Sequence, residues 1–209
     1  MWRDFNYYID QGDRYYNNND FKSSIDEYSK AIRKEPKNIL GYVRRGTAYD
    51  RLKLYNEAIS DYTIALTVPP MIRIAGKLYN LHTSAYNARA NSLINLERYE
   101  EAEADCYASQ EIDPLFTLSH LTLGKIYQVY GKYKEAIKCY KKVITLEPDN
   151  ELGYWHRGDL YKKLGQYEKA IEDYKIVIEL DPECEFMKED IAECLDLMVN
   201  EDDNNGDNF

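Results

Sequence analysis

Residues 154–182 read YWHRGDLYKKLGQYEKAIEDYKIVIELDP, and their spacing decides the fold. Tyr154, Arg157–Gly158 and Tyr161 fall at i, i+3/i+4 and i+7, and Ala170, Tyr174 and Val177 keep the same period. That spacing places each set on one face of a helix. Gly165 stands between the two stretches, where a first helix ends in a residue of positive φ. Pro182 follows the second stretch, because proline cannot continue a helix. Small residues at Gly158 and Ala170 let the two helix backbones approach while tyrosines fill the space beside them.

The same order recurs up the chain. Five of the six prolines sit at Pro36, Pro70, Pro114, Pro148 and Pro182, spaced by 34, 44, 34 and 34 residues. Twenty-four residues before each comes Gly12, Gly46, Ala90, Gly124 or Gly158, and eight before comes Tyr28, Tyr62, Cys106, Tyr140 or Tyr174. Four such columns hold 16 of the 21 tyrosines, so most of the tyrosine surplus is packing material. Gly131 and Asn19 occupy the Gly165 turn position in their units, but Lys53 and Glu97 occupy it in units two and three, which predicts strain or another geometry there. A lone helical hairpin cannot bury both faces, whereas stacked hairpins can.

These columns resemble the tetratricopeptide repeat. The resemblance covers Phe5–Cys184 in units 5–38, 39–72, 83–116, 117–150 and 151–184, with an insertion at 73–82. It implies an all-α fold, a right-handed α-α superhelix of antiparallel helix pairs. Residues 185–199 read as a polar capping helix, so that 1–199 form one array, and 200–209 (NEDDNNGDNF) as an acidic disordered tail. In the insertion, Leu78, Leu81 and Ala85 continue an apolar stripe into Tyr86, which predicts that the first helix of unit three extends backwards by one or two turns.

Charge and composition bound the function. The 209 residues carry a net charge of −10 and the hydrophobic fraction is 44%. An acidic chain disfavours nucleic acid and anionic membranes, both of which want Lys and Arg. The N-terminus MWRDFNYYIDQGD has no apolar signal region, and no apolar run of 18 residues exists, so the expectation is a cytoplasmic protein. Cys106, Cys139, Cys184 and Cys194 form no CxxC pair, which fits reduced thiols. His82, His120 and His156 are the only histidines, and no HExxH or Cys/His cluster is present, so no metal, cofactor or catalytic residue is expected. Gly41-Tyr-Val-Arg-Arg-Gly46-Thr47 mimics a phosphate-loop spacing without its lysine and inside a helix.

Binding is the remaining class. The resemblance implies a concave groove lined by places 2, 5, 6, 9, 12 and 13 of each first helix, counted from the start of the unit. Among those side chains Asp10, Asp13, Asp50 and Asp159 are opposed by Arg44, Arg51, Lys125, Lys162 and Lys163, close to neutrality despite the acidic whole. Asn87, Asn91 and Asn95 form a stripe at i, i+4 and i+8, able to hold a peptide backbone because an amide both donates and accepts. Leu118, Leu121, Leu152 and Trp155, rimmed by Lys125 and His156, form an apolar patch suited to a hot spot. The Lys/Asn set with which chaperone-binding members of the family clamp a C-terminal carboxylate is not matched. In units three to five those places hold Asn87, Asn91, Thr122, Leu152 and His156. The sequence therefore points to a non-enzymatic adaptor that grips a protein or peptide partner and is not an Hsp70 or Hsp90 tail clamp. The alternative is a self-assembling structural protein, joined through the groove or the 73–82 projection.

Overall fold

The computed structural model describes residues 4–74 and 77–206, with side chains described over 4–70 and 80–199. Each repeat holds two helices: α1 Phe5–Asn17 and α2 Phe21–Lys34; α3 Ile39–Arg51 and α4 Tyr55–Ala65; α5 Leu81–Asn95 and α6 Tyr99–Ile112; α7 Thr117–Val129 and α8 Tyr133–Leu146; α9 Glu151–Lys163 and α10 Tyr167–Leu180. A last helix, α11, runs Met187–Gly206. The chain divides into two compact units, Met1–Ser119 and His120–Phe209.

Local chemistry starts and stops these helices. Asp4, Asp20, Asn38, Asn80 and Asn150 accept hydrogen bonds from backbone N–H groups of the first turns of α1, α2, α3, α5 and α9, at 2.9 to 3.1 Å. The turns inside the repeats pass through the left-handed region at Asn19, Lys53, Glu97, Gly131 and Gly165, with φ between 58° and 69°. Lys53 and Glu97 thus adopt the geometry that Gly131 adopts, and bear its steric penalty.

The core repeats as a ring laid on a backbone. Tyr28, Tyr62, Tyr140 and Tyr174 are at most 1% exposed. A Cβ added to the paired Gly12, Gly46, Gly124 or Gly158 would come within 2.3 to 2.9 Å of the ring. Repeat three makes the reciprocal exchange, with Ala90 and Cys106 both fully buried. A second device ties first helix to second. Arg45, Arg89 and Arg157 each make paired N–H bonds to Asp61, Asp105 and Asp173 at 2.7 to 2.9 Å. Repeat four has Leu123 and Cys139 in those places, and repeat one has Gln11 and Glu27.

Two expectations need correction. The 73–82 insertion does not lengthen α5 by turns. It is an antiparallel hairpin, β1 Met71–Ile74 with β2 Lys77–Asn80, in the register Met71↔Asn80 to Ile74↔Lys77. Asn80 caps α5 immediately after it, and the Leu81 N–H donates to the Pro70 carbonyl at 2.9 Å, closing the hairpin base. The alternation of Ile72 and Ile74 is a strand period, whereas the stripe Leu78, Leu81, Ala85 crosses from β2 into α5. The stretch 200–209 is not structureless along its length either: α11 continues through it to Gly206, since extending a helix already anchored by packing adds one bond per residue fixed. Residues 207–209 lie outside the described residues.

Candidate functional site

Within the first compact unit the inner face is largely committed to its own fold. The Tyr28 hydroxyl donates to Asp13 Oδ1 at 2.6 Å, and Arg44, about half exposed, lies 3.4 Å from the same carboxylate. Asp50 accepts from the Tyr62 hydroxyl at 2.7 Å and from Ser92 Oγ at 2.6 Å, linking α3, α4 and α5. Burial pushes the Asp50 carboxyl above its ordinary range, and the bonds from Ser92 and Tyr62 act against that. The Arg51 guanidinium lies 5.2 Å from the Phe21 ring centroid and is exposed.

The asparagine stripe is not the open amide ladder that the sequence suggested. Asn87 is buried. Asn91 Nδ2 donates to the Asn87 carbonyl at 2.9 Å, and Asn95 Nδ2 to the Asn91 carbonyl at 2.8 Å. Those donors serve their own helix, and Asn95 is the one exposed member. Leu118 is exposed on the first turn of α7.

In the second unit, Leu121 belongs to the core with Ala136, Tyr140, Val143 and Leu160, and Leu152 packs on that cluster half-buried. Leu121 is therefore not a groove side chain. Three of the five place-5 residues, Ile9, Asn87 and Leu121, are buried, and Val43 is half-buried. Trp155, also at place 5, is half-buried. Its indole stacks on His156 at 5.9 Å and tilts against Phe186 at 5.4 Å. His156 also stacks on Tyr140, at 5.7 Å. Burial, and then the charge of Lys125, push the His156 imidazole down to about 4, so it is neutral near neutral pH. Lys125 is half-buried, and burial lowers its ammonium. Lys162 bonds Asp190 at 2.7 Å and Glu193 at 2.5 Å, both on α11. Burial works against that charge, but the two carboxylates outweigh it and raise the ammonium.

Place 13 is the consistently open column: Asn17, Arg51, Asn95, Val129 and Lys163 are all exposed. Sequence reading missed three features. The Arg–Asp bridges were visible as a recurring separation of 16 residues, and the Tyr–Asp bonds as a recurring 15. Phe186 against Trp155 had no signal, since the turn after α10 lies outside the repeat. Among the described residues no group of three or more His, Cys, Asp or Glu is placed to hold a metal ion, and no helix is long and apolar enough to cross a membrane.

Comparison with known proteins agrees with this geometry. Family models described as tetratricopeptide or TPR repeat match residues 9–70, 83–114, 124–165 and 156–184. The DnaJ homolog subfamily C member 7 homolog of Dictyostelium discoideum is 28% identical over 122 residues, 58% of this chain and 22% of that protein. Small glutamine-rich tetratricopeptide repeat-containing protein 2 of Saccharomyces cerevisiae is 34% identical over 98 residues, 47% of this chain and 25% of that protein. The chain thus spans about a quarter or less of the length of these curated relatives. A solved thermophilic TPR protein of Thermus thermophilus superposes with a TM-score of 0.74 at 18% identity, over 91% of this chain and 98% of that one. At that identity the likeness shows the fold alone.

Proposed function

The chain belongs to the tetratricopeptide repeat family, and from that premise we propose that it is a non-enzymatic, cytoplasmic adaptor that binds a segment of a partner protein along its first-helix faces. The observation that carries this reading is the set of polar and aromatic first-helix side chains left at least partly accessible in each unit: Arg44, Arg51 and Asn95 in the first, and Lys125, Trp155 and His156 in the second. Amphipathic rings and guanidinium groups are the side chains that anchor protein interfaces. The Lys/Asn clamp set is absent from the matching places, so the partner is not held as a chaperone tail. Nucleic acid and anionic membranes are not the partners of a chain carrying −10. Affinity capture from lysate followed by mass spectrometry tests the proposal. Trp155→Ala and Arg51→Ala should each lose partners while retaining their helical circular dichroism; retention of every partner by both variants would refute it.

One observation favours self-association as a second reading. The β1–β2 hairpin is a two-stranded sheet, so each of its strands has one edge without a strand partner among the described residues. Such edges template pairing with another copy. Light scattering across a concentration series decides it, because a strict monomer removes this reading.

A further inference from the structure

Charge is sorted among the second helices of the repeats. α6 holds five acids and no base, α4 two acids and no base, and α10 four acids and two lysines. α2 is mixed, with four bases and two acids. α8 goes furthest the other way: it sets Lys134, Lys138, Lys141 and Lys142 against Glu135, and Lys132 precedes it. All five of these lysines are exposed, and none is in an ion pair among the described residues. Lys134, Lys138 and Lys141 stand at i, i+4 and i+7, on the side of α8 opposite the buried Ala136, Tyr140 and Val143. Like charges at those spacings weaken a helix, so the stripe is no gain to folding. Beside its N-terminal end lies an open groove of about 410 Å³, whose apolar lining is Tyr133, Ile137 and Leu164, all half-buried. Lys132 and Lys134 also line it, and Glu135 is its one acid. Lys132 is turned to the Tyr127 and Tyr130 rings, 5.6 and 5.1 Å from their centroids, and the Lys163 ammonium lies 5.1 Å from the Tyr133 centroid. Aromatic and aliphatic carbon with a few polar groups, around a volume of this size, is the form of a binding pocket.

We propose that the groove and the lysine stripe form a docking site for an acidic segment of a partner protein that carries one large apolar side chain. That side chain enters the groove against Tyr133, Ile137 and Leu164, and the carboxylates beside it meet Lys134, Lys138 and Lys141. The spacings agree. Lysines four residues apart on a helix are separated by about 6 Å along its axis, and side chains on one face of an extended chain repeat about every 7 Å. A segment with an acid at every second residue therefore keeps step with Lys134 and Lys138. The occupant is a polypeptide rather than a nucleic acid, because Ile137 and Leu164 call for an aliphatic or aromatic side chain and Glu135 repels a phosphate. The stripe also lacks arginine, whose planar fork pairs phosphates bidentately. This site lies on the second helix of repeat four and the turn before it. It goes beyond the adaptor reading of the first-helix faces, and each can fail without the other.

The test is an NMR titration of the ¹⁵N-labelled full chain with acetyl-Glu-Ala-Glu-Ala-Phe-Ala-Glu-Ala-Glu-amide, whose symmetric order suits either chain direction. Backbone amide shifts should move at 131–138 and 164–166. Gln in place of every Glu should weaken binding about tenfold, since several exposed charge pairs are lost together, and added salt should weaken the Glu peptide in the same way. Ala in place of the Phe should also weaken binding about tenfold; the groove is tested on the peptide because Ile137 and Leu164 pack against the core as well. Lys134→Glu combined with Lys138→Glu should abolish binding of the Glu peptide, create binding of its Lys counterpart, and leave Tm unchanged. No titration by the Glu peptide, equal affinity for the Glu and Gln peptides, or shifts confined to other residues would overturn the inference. Tighter binding of a uridine oligonucleotide than of the Glu peptide at equal salt would overturn it in favour of nucleic acid. Light scattering by the chain alone that rises with concentration, and no longer does so in the double variant, would overturn it in favour of a second copy.

Discussion

Replacing Arg157 by leucine should cripple the last repeat, and replacing Asp173 by cysteine at the same time should largely restore it. Asp173 is 4% exposed and takes two N–H bonds from Arg157, at 2.9 and 2.7 Å, while the guanidinium is 16% exposed. Arg157→Leu leaves a buried carboxylate with no cation, a loss of about 3–5 kcal/mol. It also removes the guanidinium from beside the Tyr154 and Tyr161 rings, 5.7 and 5.9 Å from their centroids. That adds about 1 kcal/mol. Asp173→Cys alone should be milder, about 1–2 kcal/mol, because the arginine nearer the surface can turn its head to water. The double variant installs the Leu/Cys pair that repeat four already uses at Leu123 and Cys139. It keeps only the ring loss, about 1 kcal/mol. Urea unfolding followed by Trp155 fluorescence, with Trp2→Phe, measures the four corners of the cycle. A double variant as unstable as Arg157→Leu, or an Arg157→Leu loss below about 1 kcal/mol, would refute the reasoning.

Two more outcomes follow from the turns and the buried imidazole. Lys53→Gly and Glu97→Gly should each raise stability by about 1 kcal/mol, since both residues hold positive φ with a Cβ; unchanged thermal midpoints would show those turns to be unstrained. His156 binds its proton only near pH 4 in the folded chain, against an ordinary value of 6.5. The unfolded chain therefore takes up a proton that the fold refuses, and stability falls as pH drops from about 6.5 to about 4 by up to about 3 kcal/mol. His156→Gln should remove that part of the slope in denaturant titrations run at each pH.

The fold was legible because its determinants are local and repeated. Proline position, the glycine under each tyrosine and the left-handed turn recur in register, so errors in one repeat are corrected by the others. The hairpin at 71–80 had no such support. It occurs once, and four-residue stretches such as MIRI and KLYN are too short to tell a helical from an alternating period. The candidate site was legible only in part, because a place number taken from the family fixes which side of a helix a residue stands on, not how closely its neighbours press. Asn87 and Leu121 share place 5 with Trp155, yet both are buried while Trp155 keeps partial exposure. At that place the fit of the adjoining helices decides what remains open, and this is a property of pairs.

The fourth repeat shows what that pairwise view adds. In repeats two, three and five an arginine and an aspartate 16 residues apart hold first helix to second. In repeats one, two and five a tyrosine hydroxyl is satisfied by an aspartate. Repeat four has neither device: Leu123 and Cys139 replace the ion pair, and Lys125 stands where the aspartate would be. Its buried apolar cluster holds Leu121, Ala136, Tyr140 and Val143 together with Leu160 of α9. Packing of that kind tolerates a charge reversal at its rim, because no buried partner is stranded by it. The exception is the Tyr140 hydroxyl, which the reversal leaves without an acceptor.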